Sequence, residues 1–263
     1  MTTDVLTAPG LRREMTLHAI EPAQRTAARV AGSFYLLTTA LAAYAEFVVR
    51  APLVVSNDAA RTATNIAANA QLYRVSIVVD LLMVAAVVVL NLALYQLLAP
   101  VHRSLAVVAA SWRLFEVSTH AAAAVSGFVV LTILGGADYL QAFEPRQLQA
   151  LARLFVAAHG TGYNVALLFF ALGSTTYMYL LVRSRYVPTT LALSGVTASA
   201  LILLFILARM LFPEWVTGTA AAARTLPPVA LVLLAIVFVP IFAFEVTIGL
   251  WLLVKGVRVR ERA

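Results

Sequence analysis

Residues 73–98 read YRVSIVVDLLMVAAVVVLNLALYQLL, and this stretch decides the fold. A helix needs about 20 predominantly apolar residues to cross the hydrocarbon core of a bilayer, and this segment is longer than that. Its only charged side chains are Arg74 and Asp80. The length and the unbroken hydropathy therefore predict a transmembrane helix rather than a buried helix of a soluble domain.

Stretches of similar hydropathy recur along the rest of the chain. They lie at about 30–49, 105–134, 153–182, 190–212 and 228–254, each long enough to span a bilayer. Of the 263 residues, 62% are hydrophobic and 12% are charged. The predicted fold class is therefore an all-α integral membrane protein, a bundle of six transmembrane helices. The chain has no cysteine, which excludes disulfides, thiolate metal sites and cysteine nucleophiles.

The basic residues predict the orientation of the bundle. The two tails and the two short loops on their side carry eleven Lys and Arg residues, against six on the other side: Arg50, Arg61, Arg74, Arg146, Arg153 and Arg224. The positive-inside rule then places both termini in the cytoplasm. The predicted organisation is a cytoplasmic tail over 1–28, a six-helix membrane domain over 29–256 and a basic cytoplasmic tail over 257–263. We expect no cleaved signal peptide, and a multi-pass location in a bacterial cytoplasmic membrane.

The basic residues also bear on partners. Although the net charge is +7, they cluster at helix ends and in the tails, which is typical of topology determinants and not of a nucleic-acid surface. The partners expected are the lipid bilayer and a small-molecule or lipid ligand.

Local signals refine the helix boundaries. Ser56-Asn57-Asp58 predicts an N-cap for a short surface helix that runs from Ala59 into the second span. Glu144-Pro145 predicts a helix start that continues into the fourth span. Pro240 removes one backbone donor within the sixth span and predicts a kink there.

Several ionisable side chains lie inside the predicted spans. They are Glu46, Asp80, Arg113, Glu116 and Glu245, together with His120 and His159. Each charge costs about 2.5–3.5 kcal/mol near the centre of a spanning helix, so such residues are usually functional. The five charged residues together oppose insertion by on the order of 10 kcal/mol.

Depth and helical phase suggest that these residues converge. At about 1.5 Å per residue, Glu46, Asp80, His120 and His159 all lie roughly 6–10 Å below the outer boundary. Arg113, Glu116 and His120 are spaced i, i+3, i+7 and share one face of their helix. We therefore predict a polar site near the outer face, formed by residues from four spans: Glu46, Asp80, Glu116, His120, His159 and Tyr163.

Several chemistries suit this predicted site. The primary hypothesis is binding of a small or lipid-like ligand. His120, His159, Asp80 and Glu46 also suit Zn²⁺, which would support an intramembrane metal-dependent hydrolase. A proton-linked transporter that uses Asp80, Glu116 and Glu245 is a third hypothesis, and a purely structural or accessory role is a fourth.

Arg113 and Glu245 are predicted to lie deeper, in the cytoplasmic half. A structural ion pair between them would reduce the cost of burying either charge.

Five stretches of the chain resemble a known family. They are Ala45-Glu46-Phe47-Val48-Val49-Arg50, Asn57-Asp58-Ala59-Ala60, Phe143-Glu144-Pro145 through Leu148-Gln149-Ala150-Leu151, His159-Gly160 with Tyr163, and Trp251 through Gly256. Over roughly residues 25 to 257 the chain resembles the bacterial membrane proteins catalogued as domain of unknown function 4386. The resemblance implies a polytopic bacterial membrane protein and carries no established reaction, cofactor or catalytic residue.

Overall fold

A computed structural model describes residues 22–55, 58–212 and 228–258. Within these residues the secondary structure is helical and contains no β-strand. Six helical stretches are long and apolar enough to cross a membrane: Pro22–Leu53, Ala70–Leu98, Arg103–Leu134, Pro145–Ser184, Thr189–Leu211 and Leu234–Val254. The predicted six-span all-α fold is therefore confirmed.

The first span consists of three consecutive segments. An α-helix, α1 (Pro22–Ala43), continues through a π-helical turn (Tyr44–Arg50) into a last short turn, α2 (Ala51–Leu53). Because α1 begins at Pro22, it includes the end of the segment predicted as an N-terminal tail. Gln24, Ala27 and Ala28 are buried in the bundle. Residues 1–21 of the predicted tail and 259–263 of the C-terminal tail lie outside the described residues.

The second span follows a surface helix. That helix, α3 (Ala59–Ala68), is capped by Asp58, whose side chain accepts from the backbone N–H of Arg61 at 2.8 Å. Ser56 and Asn57, the other residues of the predicted cap, lie outside the described residues. Asn69 leaves helical geometry, so the second span, α4 (Ala70–Leu98), begins as a separate helix and does not continue α3.

Three long helices follow α4. They are α5 (Arg103–Leu134), α6 (Pro145–Ser184) and α7 (Thr189–Leu211). As the sequence predicted, α6 starts at Pro145: Glu144 and Gln147 form a reciprocal capping box, which satisfies two N-terminal backbone donors. The last helix, α8 (Pro228–Val254), contains Pro240.

The six spans form a closed ring. Each span packs beside the spans next to it in sequence, and α8 closes the ring by packing on α1. Gly32 makes this closure tight, because a Cβ at that position would lie 2.5 Å from the backbone nitrogen of Leu253. Small residues at such crossings allow close helix approach in membranes. One face of every span is thus turned toward a shared interior.

The surface helix α3 closes one end of this ring. Thr62 donates to the carbonyl of Val55 at 3.1 Å, and Asn65 donates to that of Leu53 at 3.2 Å, so α3 is held to the end of the first span. Ile66 is fully buried in an apolar cluster with Val49 and other residues of neighbouring spans. The polar residues described next therefore lie beneath a covered end of the bundle.

Candidate functional site

A buried guanidinium joins two carboxylates from different helices. Arg50 Nε donates to Glu46 Oε2 at 2.9 Å, and Arg50 Nη1 donates to Asp80 Oδ2 at 2.5 Å. His159 Nε2 lies 3.5 Å from the same Asp80 oxygen. The side chain of Asp80 is 2% exposed and that of Glu46 is 25% exposed. These four residues, from the first span, α4 and α6, are called the Arg50 cluster below.

The π-helical turn positions two members of the Arg50 cluster. Its wider winding is visible where the backbone N–H of Ala51 bonds to the carbonyl of Glu46, five residues earlier. Such turns are rare and are frequent at functional sites. Here the turn carries Arg50 to the interior, where it is 7% exposed, while Glu46 stays nearer the surface. The helix is thus irregular at the residues that carry the charges.

Arg50 is the residue that the sequence reasoning missed. Hydropathy ends the first span at residue 49, which places Arg50 among the loop residues that set the topology. The i, i+4 spacing of Glu46 and Arg50 is the signal that could have identified the pair. Three of the four residues predicted to converge, Glu46, Asp80 and His159, lie in the Arg50 cluster.

His120 lies near this cluster and contacts Tyr163. The two rings meet edge to face with centroids 4.8 Å apart. Tyr163 is one helical turn from His159 on α6. His120 is 6% exposed, and its Nε2 has no hydrogen-bond partner among the described residues. The predicted site residues His120 and Tyr163 thus form the next polar layer of the interior.

Arg113 and Glu116 form a second buried pair. Arg113 Nη1 lies 2.7 Å from Glu116 Oε2, and the two side chains are 4% and 7% exposed. The N–H does not point at the oxygen, so the contact is an ion pair without a hydrogen bond, and Arg113 Nε is also unbonded within the described residues. The guanidinium lies 4.9 Å from the ring centroid of Phe170. Arg113, Glu116 and His120 are all buried, in agreement with their predicted common face.

Glu245 is not ion-paired with Arg113. Its Oε2 accepts from Thr39 Oγ1 at 3.0 Å, across the α1–α8 contact. The structure therefore does not contain the predicted ion pair between Arg113 and Glu245. Arg113 pairs instead with Glu116, which lies one turn away on the same helix, so this pair requires no contact between helices. Arg113 still acts on Glu245 electrostatically at longer range. Arg113, Glu116, Glu245 and Thr39 are called the Arg113 cluster below.

A third polar group lies farther from the α3 end. Tyr177 on α6 donates to Asn91 Oδ1 on α4 at 2.7 Å, and Asn91 Nδ2 donates to the carbonyl of Ala110 on α5 at 3.2 Å. The Asn91 side chain thus bonds both to the adjacent helix α5 and to α6 across the interior. This group orients α4, α5 and α6 and needs no ligand.

The predicted metal ligands do not fit a zinc site as they lie. Within residues 22–55, 58–212 and 228–258, no three His, Asp, Glu or Cys side chains form a group that could hold a metal ion. The guanidinium of Arg50 lies between Glu46 and Asp80, and its positive charge opposes a cation there. Zinc at His120, His159, Asp80 and Glu46 would require Arg50 to move.

The chain belongs to the family described as Domain of unknown function (DUF4386), whose profile matches residues 30–256. The match covers the first span from residue 30 onward and the other five spans in full, so the resemblance seen in the sequence is confirmed. No curated protein and no solved structure shows significant similarity to the chain.

Proposed function

We propose that this protein binds a small polar or lipid-like molecule within its bundle, beside Arg113, Glu116 and His120, in a bacterial cytoplasmic membrane. The observation that supports this proposal is that several buried polar atoms on one face of α5 make no hydrogen bond within the described structure. Arg113 Nε and His120 Nε2 have none, and Glu116 Oε2 is held only by its ion pair with Arg113 Nη1. Leaving such an atom unbonded costs about 1–3 kcal/mol. A network that only orients helices gains nothing from that cost. In the Asn91 side chain, by contrast, both the amide nitrogen and the amide oxygen have hydrogen-bond partners.

The chemistry of these atoms limits the ligand. Arg113 offers hydrogen-bond donors, Glu116 offers an acceptor, and His120 offers either. All three side chains lie on one face of α5 and together extend over about two helical turns. A molecule whose polar end carries both an acceptor and a donor would bond to this face, and an apolar remainder would suit the surrounding helices.

Two of the other hypotheses are less well supported. The metal-dependent hydrolase needs ligands that Arg50 currently holds. A purely structural role leaves the unbonded atoms of α5 unexplained. Proton linkage is compatible with ligand binding.

Mass spectrometry of small molecules released from purified protein tests the proposal. The wild type is compared with Glu116→Gln, which removes a charge at constant size, and with Thr119→Ala. Thr119 is a suitable control because it lies on the same helix, is only half-buried, and donates its hydroxyl to the carbonyl of Phe115 in that helix. We expect a compound that is retained by the wild type and by Thr119→Ala but depleted in Glu116→Gln. Equal retention in all three proteins, or none in the wild type, would contradict the proposal.

A further inference from the structure

The charges that lie within the spans are unbalanced in both clusters, in which Glu46 and Glu245 are half-buried and the other charged side chains are buried. The Arg50 cluster has one guanidinium for two carboxylates, Glu46 and Asp80. The Arg113 cluster likewise has one guanidinium for Glu116 and Glu245. With both carboxylates ionised, each cluster would carry a net negative charge inside the membrane, where an uncompensated charge is costly.

In the Arg50 cluster, neighbouring groups can offset the excess negative charge. His159 lies 3.5 Å from Asp80 and can carry a positive charge when protonated. The side chain of Glu46 is 25% exposed, close to the end of the first span, where water lowers the cost of its charge. No further cation is needed there.

Among the described residues, Arg113 is the only cation that acts on Glu245. His120 lies one turn from Glu116 on α5, but its ring packs on Tyr163 and does not act on Glu245. The groups that act on Glu245 are Thr39 from α1, which donates a hydrogen bond, and Arg113 from α5, at longer range. Tyr35 from α1 and Tyr163 from α6 also lie within electrostatic reach and are neutral phenols. From α7, Gly195 packs on the adjacent Phe244 and contributes no charge. Glu116 is already within 2.7 Å of Arg113, so Glu245 is the carboxylate left without a cation.

We propose that Glu245 is a proton-binding site, and that the protein takes up or releases this proton when its interior charge changes. An O–H bond forms on the Glu245 carboxyl, and the proton comes from water at the membrane surface. The neutral carboxyl retains its contact with Thr39 and leaves Arg113 balanced by Glu116 alone. Any charged ligand that binds beside Arg113 and Glu116 alters this balance and is therefore linked to the proton. The proton site itself does not depend on the proposed ligand.

Infrared difference spectroscopy of the protein in lipid membranes tests this assignment without a ligand. At neutral pH the wild type should show the carbonyl stretch of a protonated carboxyl, which shifts in D₂O because the proton exchanges. Glu245→Gln should lose this band. Glu144→Gln is the matched control, because Glu144 is an exposed carboxylate at the start of α6 and should leave the band unchanged.

The possible outcomes are distinct. If Glu245→Gln fails to fold, Glu245→Asp keeps a carboxyl at the site and should show the band at a shifted frequency. A band that persists in folded Glu245→Gln, or one that is absent from the wild type, would overturn the proposal. Loss of the band when sodium replaces choline at constant pH would also overturn it, because the site would then prefer a metal cation. Failure of the ligand experiment would leave the infrared result unaffected.

Discussion

Replacing Arg50 by leucine should destabilise the protein more than any exposed charge does. Arg50 is 7% exposed and donates to two carboxylates, at 2.9 Å and 2.5 Å. Without it, Asp80 keeps a buried charge whose nearest remaining partner is His159 at 3.5 Å. Breaking a buried pair by removing one partner costs about 3–5 kcal/mol. The lost bond to Glu46 adds less, because that side chain can turn to water.

The coupling between Arg50 and Asp80 can be isolated by a double-mutant cycle. Arg50→Leu, Asp80→Leu and the double variant would be unfolded reversibly in lipid bicelles, with the free energy of unfolding as the measured quantity. Contacting charged residues give interaction energies of about 0.5–3 kcal/mol, and we expect the upper part of that range. Arg61→Leu serves as the control, because Arg61 is exposed and its substitution should change stability by less than about 0.5 kcal/mol. If the double variant equals the sum of the singles, the Arg50 cluster does not exist as described.

Three other predictions concern packing, topology and metal content. Gly32→Ala should lower the free energy of unfolding by about 1–3 kcal/mol, because the added Cβ would meet the backbone of Leu253. Gly160→Ala is the control: a Cβ at that position meets open space and should not destabilise the protein. Equal effects of the two substitutions in thermal or denaturant unfolding would refute the close α1–α8 crossing. The positive-inside rule places the loops at Ser104 and Tyr139 on opposite sides of the membrane. A cysteine at Ser104 should therefore resist an impermeant thiol reagent in intact cells, whereas a cysteine at Tyr139 should react. The reverse labelling would invert the topology. Elemental analysis of gently purified protein should find no stoichiometric zinc, and its presence would restore the hydrolase hypothesis.

The sequence predicted the fold well because hydropathy dominates membrane insertion. All six spans are where unbroken apolar stretches placed them. The largest difference is at the start of α1, where Gln24 and small alanines are buried by neighbouring helices although their local hydropathy is low. Hydropathy reflects how favourably a segment transfers into lipid, and it contains no information about burial against other helices of the protein.

The candidate site could be predicted only in part. Depth and phase identified Asp80, His159 and Glu46, because lipid offers such residues no partners. They did not include Arg50, because hydropathy ends the first span at residue 49. Its i, i+4 spacing from Glu46 is a signal for the pair, but the π-helical turn that carries Arg50 inward has no clear sequence signal. Nor could they choose between Glu116 and Glu245 as the partner of Arg113, because that choice depends on how far apart α5 and α8 lie.

An experimental structure of the protein crystallised from a lipid phase would test the central claim most directly. The claim is that the face of α5 formed by Arg113, Glu116 and His120 binds a ligand rather than other protein groups. We expect non-protein density within hydrogen-bonding distance of His120 Nε2 and Arg113 Nε, at a site surrounded by helices from several spans. If protein side chains instead satisfy all of these atoms, the site is a structural network and the proposed function is wrong.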